Sequence, residues 1–305
     1  MNRFKLIESR CTQIHLIHCA LKEALPVLVR GPIGCGKTAL IQYIACQLNR
    51  NSYPHFVVIQ LGEHIDGKSL IGSYQCSDLP GKFDWEPGPL TKAMKLGSLI
   101  LLEDLDCAST DLLSTLAPVL KEKSLYMPDG QLLRANEDFR IIATIRSDSS
   151  YTGHSALLSK DWFTVDINSL TTGDMKDILN STFPSLETIT DCMLDIYQLM
   201  TNNRKSANVR QISFRDLIKL FRRIETWGSP NDPVLIFHEL VDCFAAYVRD
   251  NRSEVIEILG VNVNLNKDKV DYFDSMYKPS LEVKSNQLTI GRSTLNITKR
   301  DRPQK

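Results

Sequence analysis

One glycine-rich stretch near the start of the chain has the residue types that bind a phosphate chain. It fits the pattern G-x-x-x-x-G-K-[ST], in which glycines permit a tight turn that aims several backbone N–H groups at one point. The lysine supplies a positive charge for the outer phosphates, and the hydroxyl that follows it can hold Mg²⁺. We therefore predict a site for ATP or ADP with Mg²⁺, whose binding residues are Gly31, Pro32, Ile33, Gly34, Cys35, Gly36, Lys37, Thr38 and Ala39.

The residues on either side of this loop predict a strand before it and a helix after it. Leu25–Val29 is a short apolar run that ends at the loop, which is typical of a buried strand. Apolar residues then recur at helical spacing from Leu40 to Leu48. A helix that begins at the loop adds the positive end of its dipole to the site. This order favours a nucleotide site over an incidental glycine-rich turn.

A pair of carboxylates follows a later apolar run, residues 98–102. Enzymes that cleave a triphosphate need one carboxylate for the magnesium shell and another to orient the attacking water. We assign Glu103 to the metal through water, together with Thr38, and Asp104 to the catalytic water. Asp is one methylene shorter than Glu, so Asp104 is expected to fall short of that water. The alternative is that both carboxylates merely end a strand in solvent.

The apolar pattern predicts an α/β fold in which strands alternate with helices as far as residue 169. The predicted strands are 25–29, 55–61, 98–102, 139–145 and 163–167, with a hairpin around Pro128-Asp129-Gly130. Among the helices predicted between them are 11–22, with Leu16 turned inward, 89–96 and 111–120. This is the pattern of a P-loop NTPase, a three-layer α/β/α domain with a parallel sheet.

Beyond residue 170 the pattern indicates a C-terminal helical lid. Helices are predicted at 174–179, 186–200, 214–224, 234–248 and 267–277, and one strand is predicted at 288–290. The predicted division is a large nucleotide-binding subdomain over 1–169 with an insert at about 72–89, a lid over 170–280, and a linker-like tail over 281–305.

Composition indicates a folded protein without a charge bias. Acidic and basic residues balance at 36 each, so we predict no direct binding to nucleic acid or to a membrane surface. The longest apolar runs fall far short of a membrane span, and the first twenty residues lack a signal-peptide core. The eight cysteines show no metal-binding spacing. They are interpreted as reduced thiols of an intracellular protein.

Several segments resemble the AAA+ family of ATPases, in its dynein-like branch. Gly31–Thr38 resembles the Walker A motif, and Leu101–Asp106 resembles the Walker B motif. Residues 62–74 resemble the segment that leads into the insert in helix 2, residues 81–90 resemble the second half of that insert, and Ser213–Leu217 is similar to the lid segment that carries sensor 2. The match is closest to the first of the six AAA+ modules of one giant ATPase of this branch.

The resemblance implies partners and a cellular role. It implies a pseudo-hexameric ring in which the module contacts neighbouring AAA+ modules. It also implies a place in the nucleus, in the nucleolus or nucleoplasm, and a part in the assembly of pre-60S ribosomal particles. One alternative is an active stand-alone ATPase or chaperone that forms a homo-oligomeric ring. Another is a scaffold whose site stays empty.

Arg215 is the candidate sensor 2 residue. Ser213 and Asp216 have the spacing of a capping box, and an apolar stripe follows them. This pattern places Arg215 in the first turn of a helix, directed away from its packed face. An arginine there could reach a γ-phosphate, and the alternative is a solvated surface side chain.

Three departures from the family's pattern bear on turnover. The carboxylates Glu103 and Asp104 stand in inverted order, and Arg146 stands where a polar residue, commonly Asn, positions the attacking water. The arginine-finger segment, Leu158–Phe163, has no arginine, and its Lys160 cannot copy a planar guanidinium. Such a finger contributes roughly 10³–10⁵ in rate where it has been measured. We therefore predict nucleotide binding with weak or no hydrolysis.

Two features are left with open interpretations. Tyr74, Phe83 and Trp85 make the insert unusually aromatic, either because the rings contact a partner or because they pack on the module itself. Residues 11–25, just before the first strand, are expected to form part of the base pocket.

Overall fold

A computed structural model describes residues 4–62, 64–76, 82–127, 130–147, 161–202, 212–227, 232–245, 252–263, 281–284, 287–290 and 293–296. The chain divides into two compact units. The first contains Met1–Pro184 and Ser213–Arg215, and the second contains Ser185–Ile212 and Asp216–Lys305. In the described part of the chain, no helix combines the length and the apolar character needed to cross a bilayer.

The first unit alternates helices and strands. Its elements in chain order are α1 (Glu8–Lys22), β1 (Val27–Gly31), α2 (Lys37–Gln47), β2 (Phe56–Gln60), α3 (Gly67–Ile71), β3 (Gly72–Cys76), β4 (Phe83–Pro87), α4 (Pro89–Leu96), β5 (Leu99–Glu103), α5 (Thr110–Glu122), β6 (Ser124–Tyr126), β7 (Leu132–Arg134), β8 (Arg140–Arg146), β9 (Phe163–Asp166) and α6 (Thr172–Thr182). A short 3₁₀ turn, Leu105–Cys107, follows β5.

A five-stranded sheet forms the centre of this unit, in the order β2-β5-β8-β1-β9 with every pair parallel. The register places Gly31 beside Arg146 and Leu102 beside Ala143. Because parallel strands end at the same edge of a sheet, the loop after β1, the carboxylates after β5 and the end of β8 lie along one edge. Ligands of open α/β sheets bind at this edge.

Helices cover both faces of the sheet, which gives three layers. Val27 and Val29 belong to an apolar cluster that includes residues of α1 and α2. Leu28, between them, belongs to a second cluster with residues of α4 and α5. Strands covered on both faces are apolar throughout, which is why β1 and β5 were recognisable as short continuous runs. The predicted fold class is confirmed.

Most predicted elements of the first unit are present. Helix α4 spans the predicted residues and ends before Gly97, whose φ of 72° closes the helix in the left-handed conformation. The hairpin was predicted correctly as β6 and β7, although Pro128 and Asp129 lie outside the described residues. One prediction in α1 was wrong, because Leu16 is 41% exposed. It lies about 100° around the helix from buried Ile17 and so falls outside the buried stripe.

The second unit is mainly helical in its described part. Its elements are α7 (Glu187–Asn202), α8 (Phe214–Trp227, which begins in the first unit), α9 (Pro233–Leu240), α10 (Arg252–Asn262), β10 (Leu281–Lys284), β11 (Gln287–Ile290) and β12 (Ser293–Asn296). A π-helical turn, Val241–Ala245, continues α9. Helix α10 was not predicted, and the helix predicted at 267–277 lies outside the described residues.

An ion-pair cluster lies between two helices of this unit. Arg223 of α8 forms ion pairs with Glu239, which is 1% exposed, and with Asp242 at 2.8 Å. A buried carboxylate keeps its charge only when it is paired, so Arg223 fixes the packing of α8 against α9. The neighbouring thiol of Cys243 is buried, and this burial raises its pKa to about 11.

Residues 281–296 correct the predicted linker-like tail. They form a three-stranded antiparallel sheet, whereas only one strand had been predicted. The register places Leu281, Val283, Leu288, Ile290 and Leu295 on one face. Each strand spans only four residues, so the period-two pattern was too short to recognise in the sequence. Residues 297–305 lie outside the described part of the chain.

Candidate nucleotide site

The loop between β1 and α2 has the backbone conformation that an anion site needs. Gly34 and Gly36 have φ values of 80° and 92°, which residues with a side chain rarely adopt. Gly36 directly precedes α2 as its N-cap. The first amide groups of α2 therefore have no partner within the helix, and the positive end of its dipole faces the loop.

The side chain of Lys37 folds back over the glycine loop that precedes it. Its Nζ donates to the carbonyl oxygens of Gly31 at 2.7 Å and Pro32 at 3.0 Å. The ammonium group is thus held beside the turn by neutral carbonyl groups. A phosphate oxygen is a stronger acceptor for this cation than a neutral carbonyl, so the arrangement leaves the charge available to an anion.

Thr38 and Glu103 lie in direct contact although they are far apart in sequence. The Thr38 hydroxyl, in the first turn of α2, donates a short hydrogen bond to Oε1 of Glu103 at the end of β5. Both side chains supply hard oxygen ligands, which suit Mg²⁺. The structure therefore brings together the two residues that the sequence assigned to the metal.

Asp104 is held differently from Glu103. It has a positive φ of 55°, and its N–H donates to Oγ1 of Thr144 at 3.2 Å. Its carboxylate accepts a hydrogen bond from Nε2 of Gln60. Gln60 ends β2, which flanks β5 on the side away from β1. Asp104 is thus bound toward β2, whereas Glu103 faces the loop.

Arg146 at the end of β8 is engaged by two residues of the 3₁₀ turn. Its Nε donates to Oδ2 of Asp106 at 2.9 Å, and its Nη2 lies 2.8 Å from Sγ of Cys107. The hydrogen bond to Asp106 raises the pKa of Arg146. Burial, with the negative charge of Asp106 as a smaller cause, raises the pKa of the Cys107 thiol. The side chain of Asp106 is 1% exposed, so it depends on Arg146 for its counter-charge.

The start of α8 lies beside the loop within the first unit. A Cβ placed on Gly34 would lie 3.0 Å from Cβ of Ser213 and 3.3 Å from the backbone nitrogen of Phe214. Arg215 follows directly and is exposed, while Asp216 is buried. The predicted apolar stripe of this helix is present, since Leu217 and other residues at helical spacing are buried. The sensor 2 role of Arg215 stays a prediction.

The insert is a two-stranded antiparallel hairpin formed by β3 and β4. Tyr74 and Trp85 are cross-strand neighbours with ring centroids 5.2 Å apart in an edge-to-face arrangement. Tyr74 is 58% exposed and Phe83 is 63% exposed. Among the described residues these two rings are therefore not packed into the module, which leaves them accessible to a partner.

Two residues beside the site were missed in the sequence. Arg10 of α1 is 4% exposed and donates to the carbonyl oxygen of Cys35 in the loop. Asp106 was quoted only as the last residue of a motif. Arg10 could have been recognised in the sequence because it is a charged residue within the apolar stripe of a helix. The finger residue Lys160 lies outside the described residues, and the base pocket predicted at 11–25 stays a prediction.

Comparison with known proteins identifies the class. Residues 26–160 match the AAA domain of the dynein-related subfamily, and residues 174–266 match the midasin AAA lid domain. The chain is 27% identical to midasin of Dictyostelium discoideum over 354 aligned residues, which cover 95% of this chain and 6% of that protein. It is 30% identical to midasin of Giardia intestinalis over 185 residues, covering 58% of this chain and 4% of that protein.

A bacterial protein is also similar over the nucleotide-binding part. Protein NorQ of Paracoccus denitrificans is 28% identical over 134 residues, which cover 43% of this chain and 47% of NorQ. The parallel sheet, the glycine loop and the helical region thus define a P-loop protein of the AAA+ class. Within that class the chain is a midasin-like AAA+ module. It spans less than a tenth of the length of these midasins, and its assignment to the first module stays a prediction.

Proposed function

We propose that the chain is a nucleotide-binding AAA+ module that binds ATP or ADP with Mg²⁺ and hydrolyses ATP slowly or not at all. The nucleotide binds to residues 31–39, with Thr38 and Glu103 at the metal and Arg215 near the γ-phosphate. The observation that carries this proposal is the contact between Thr38 and Glu103 at the end of a glycine loop that also holds Lys37. Oxygen ligands and a cation then stand where a magnesium–triphosphate complex needs them.

The hydrogen bonds of Asp104 and Arg146 support the proposal of weak turnover. The carboxylate of Asp104 is bound by Gln60 on the β2 side of β5. Arg146 is bound by Asp106 and Cys107. A displacement of about an ångström can cost on the order of a hundredfold in rate. Asp104 is therefore not placed to orient water at the loop without first leaving Gln60, and Arg146, which replaces the usual polar sensor residue, is held by Asp106.

The similarity to midasin supports a larger setting for this activity. We propose that the module occupies one position in a pseudo-hexameric ring with neighbouring AAA+ modules. There it binds nucleotide as a structural and regulatory segment, and other modules drive the remodelling of pre-60S ribosomal particles in the nucleus. The division into a large subdomain over 1–169 and a lid over 170–280 is part of the same proposal.

An active ATPase in a homo-oligomeric ring is the second candidate. It is considered because the matched region makes up about half of NorQ but only 6% of the Dictyostelium midasin, so this kind of domain also occurs in chains far shorter than a midasin. Titration of the purified chain with labelled ATP and ADP, with hydrolysis followed in the same sample, distinguishes the candidates. Binding with turnover no faster than that of Asp104→Asn supports the first proposal. Turnover on the order of 1 s⁻¹ or more that Lys37→Ala abolishes would support the second.

A third possibility, a scaffold with an empty site, gives a separate result. It predicts no binding of magnesium–ATP by calorimetry at any concentration that saturates related sites. Lys37→Ala serves as the non-binding control in that measurement, because it removes the cation while leaving the loop's glycines unchanged.

A further inference from the structure

The buried guanidinium of Arg10 lies between the glycine loop and the end of β9. Its Nη2 donates to the carbonyl oxygen of Asn168 at 2.7 Å and to that of Cys35 at 3.4 Å. The side chain is 4% exposed, and Cys35 is equally buried. No carboxylate hydrogen-bonds to Arg10 among the described residues. A cation buried on backbone carbonyls in this way fixes the orientation of those carbonyls, because each dipole must turn its oxygen toward the charge.

The orientation of the Cys35 carbonyl determines where the next amide points. A trans peptide is planar, so the C=O of Cys35 and the N–H of Gly36 point in opposite directions. Because the oxygen faces Arg10, the N–H of Gly36 faces away from α1. Gly36 is the N-cap of α2, has a φ of 92° and carries no side chain that could hold this peptide in place.

The second hydrogen bond of Arg10, to Asn168, links the Cys35–Gly36 peptide to the segment that follows β9. That segment also contacts the start of the loop. Ile167 donates its N–H to the carbonyl oxygen of Arg30 at 2.7 Å, and its own carbonyl oxygen would lie 2.6 Å from a Cβ placed on Gly31. Asn168 is the next residue. The end of β9 therefore contacts the beginning of the loop directly and reaches its middle through Arg10.

We propose that Arg10 is a positioning residue of the nucleotide site, which holds the Cys35–Gly36 peptide so that the Gly36 N–H is presented to a phosphate. Arg10 does not touch the nucleotide and acts through the loop. The inference rests on the proposed nucleotide binding. It goes beyond that proposal because it assigns part of the nucleotide affinity to a residue of α1, which lies outside the glycine-loop motif.

Arg140 offers a matched control. Its guanidinium is also partly buried and donates to backbone carbonyls, namely those of Leu21, Glu137 and Phe139. It begins β8, however, and so lies at the opposite edge of the sheet from the loop. Arg140→Gln removes a comparable set of bonds without touching the site.

The experiment compares Arg10→Gln, Arg10→Lys and Arg140→Gln with the unchanged chain. A hydrogen bond from a charged donor contributes enough to change affinity about 10- to 100-fold. We expect Arg10→Gln to weaken Mg²⁺–ADP binding by that factor, and Arg10→Lys to recover part of it because lysine keeps the charge. Arg140→Gln should lower the melting temperature and leave ADP affinity within about twofold. Binding is measured well below each variant's melting temperature.

A readout without nucleotide separates this inference from the proposed function. The amide resonance of Gly36 in a ¹⁵N–¹H spectrum should shift in Arg10→Gln and stay in place in Arg140→Gln. An unchanged Gly36 resonance together with unchanged ADP affinity in Arg10→Gln would overturn the inference. If the unchanged chain binds no ADP but the Gly36 resonance shifts as expected, the proposed function fails and the positioning of the peptide stands. If Arg10→Gln does not fold, Arg10→Lys carries both readouts.

Discussion

Replacing Glu103 by Gln should change the affinity for nucleotide in opposite directions with and without magnesium. Glu103 accepts a hydrogen bond from Thr38, so its carboxylate lies beside the proposed metal ligand. The substitution keeps the size of the side chain and removes its charge. With magnesium present, ATP binding should therefore weaken. Without magnesium, it should strengthen, because a negative charge beside the phosphates has been removed.

The size of the effect follows from the position of Glu103 next to a metal ligand. Loss of a residue that supports a metal through its ligands or waters typically lowers metal affinity 10- to 100-fold. We expect a change of that order in the ratio of ATP dissociation constants measured in EDTA and in magnesium. Asp104→Asn is the matched control, since Asp104 is bound by Gln60 on the β2 side. Its ratio should change by less than about threefold.

Titrations with a fluorescent ATP analogue in the two buffers measure both constants. A parallel loss of affinity in both buffers would mean that Glu103 supports the fold of the site rather than the metal. An unchanged ratio in Glu103→Gln, or an equal change in Asp104→Asn, would refute the assignment of the metal to Glu103.

Three further predictions concern the backbone of the loop and the stability of the fold. Gly31→Ala should lower the free energy of unfolding by about 1–3 kcal/mol in urea titrations and weaken ADP binding, because its Cβ would lie 2.6 Å from the carbonyl oxygen of Ile167. Thr171→Val should cost about 1 kcal/mol by the same method, since Thr171 and Asp174 form a capping box. Burial raises the pKa of the Cys243 thiol from 9.0 to about 11 in the folded state, so stability should fall as pH rises above 9, and Cys243→Ala should remove up to about 3 kcal/mol of that fall.

The elements of the site could be predicted from the sequence because each depends on local pattern. The loop's glycines specify positive φ at Gly34 and Gly36, and the apolar run before Glu103 specifies a strand buried on both faces. Parallel strands bring their ends together whatever their order, so the contact of Thr38 with Glu103 followed from the fold class. Helices α7 and α8 were recognisable from their apolar stripes, whereas α10 was not predicted.

The hydrogen-bond partners of the charged residues could not be predicted in this way. Arg146 meets Asp106 only because β8 lies next to β5, and Asp104 meets Gln60 only because β2 lies on its other side. These contacts depend on strand order, which a single sequence does not specify. Sequence comparison alone described Arg146 as an altered residue. The structure adds that the partly exposed Arg146 is held by an ion pair with the buried carboxylate of Asp106.

The partners of the charged residues give the proposed weak hydrolysis a structural explanation. The groups proposed to bind nucleotide and metal, Lys37, Thr38 and Glu103, contact one another or the loop itself. Asp104, the residue assigned to the catalytic water, contacts Gln60 outside the loop, and Arg146, which replaces the usual polar sensor residue, contacts Asp106. Removing its hydrogen-bond partner can free a catalytic side chain that is present in the chain. No such change can supply a catalytic side chain that the chain lacks. The inverted order of Glu103 and Asp104 therefore mainly affects which neighbouring strand each carboxylate faces. It has a smaller effect on the chemistry of the two groups.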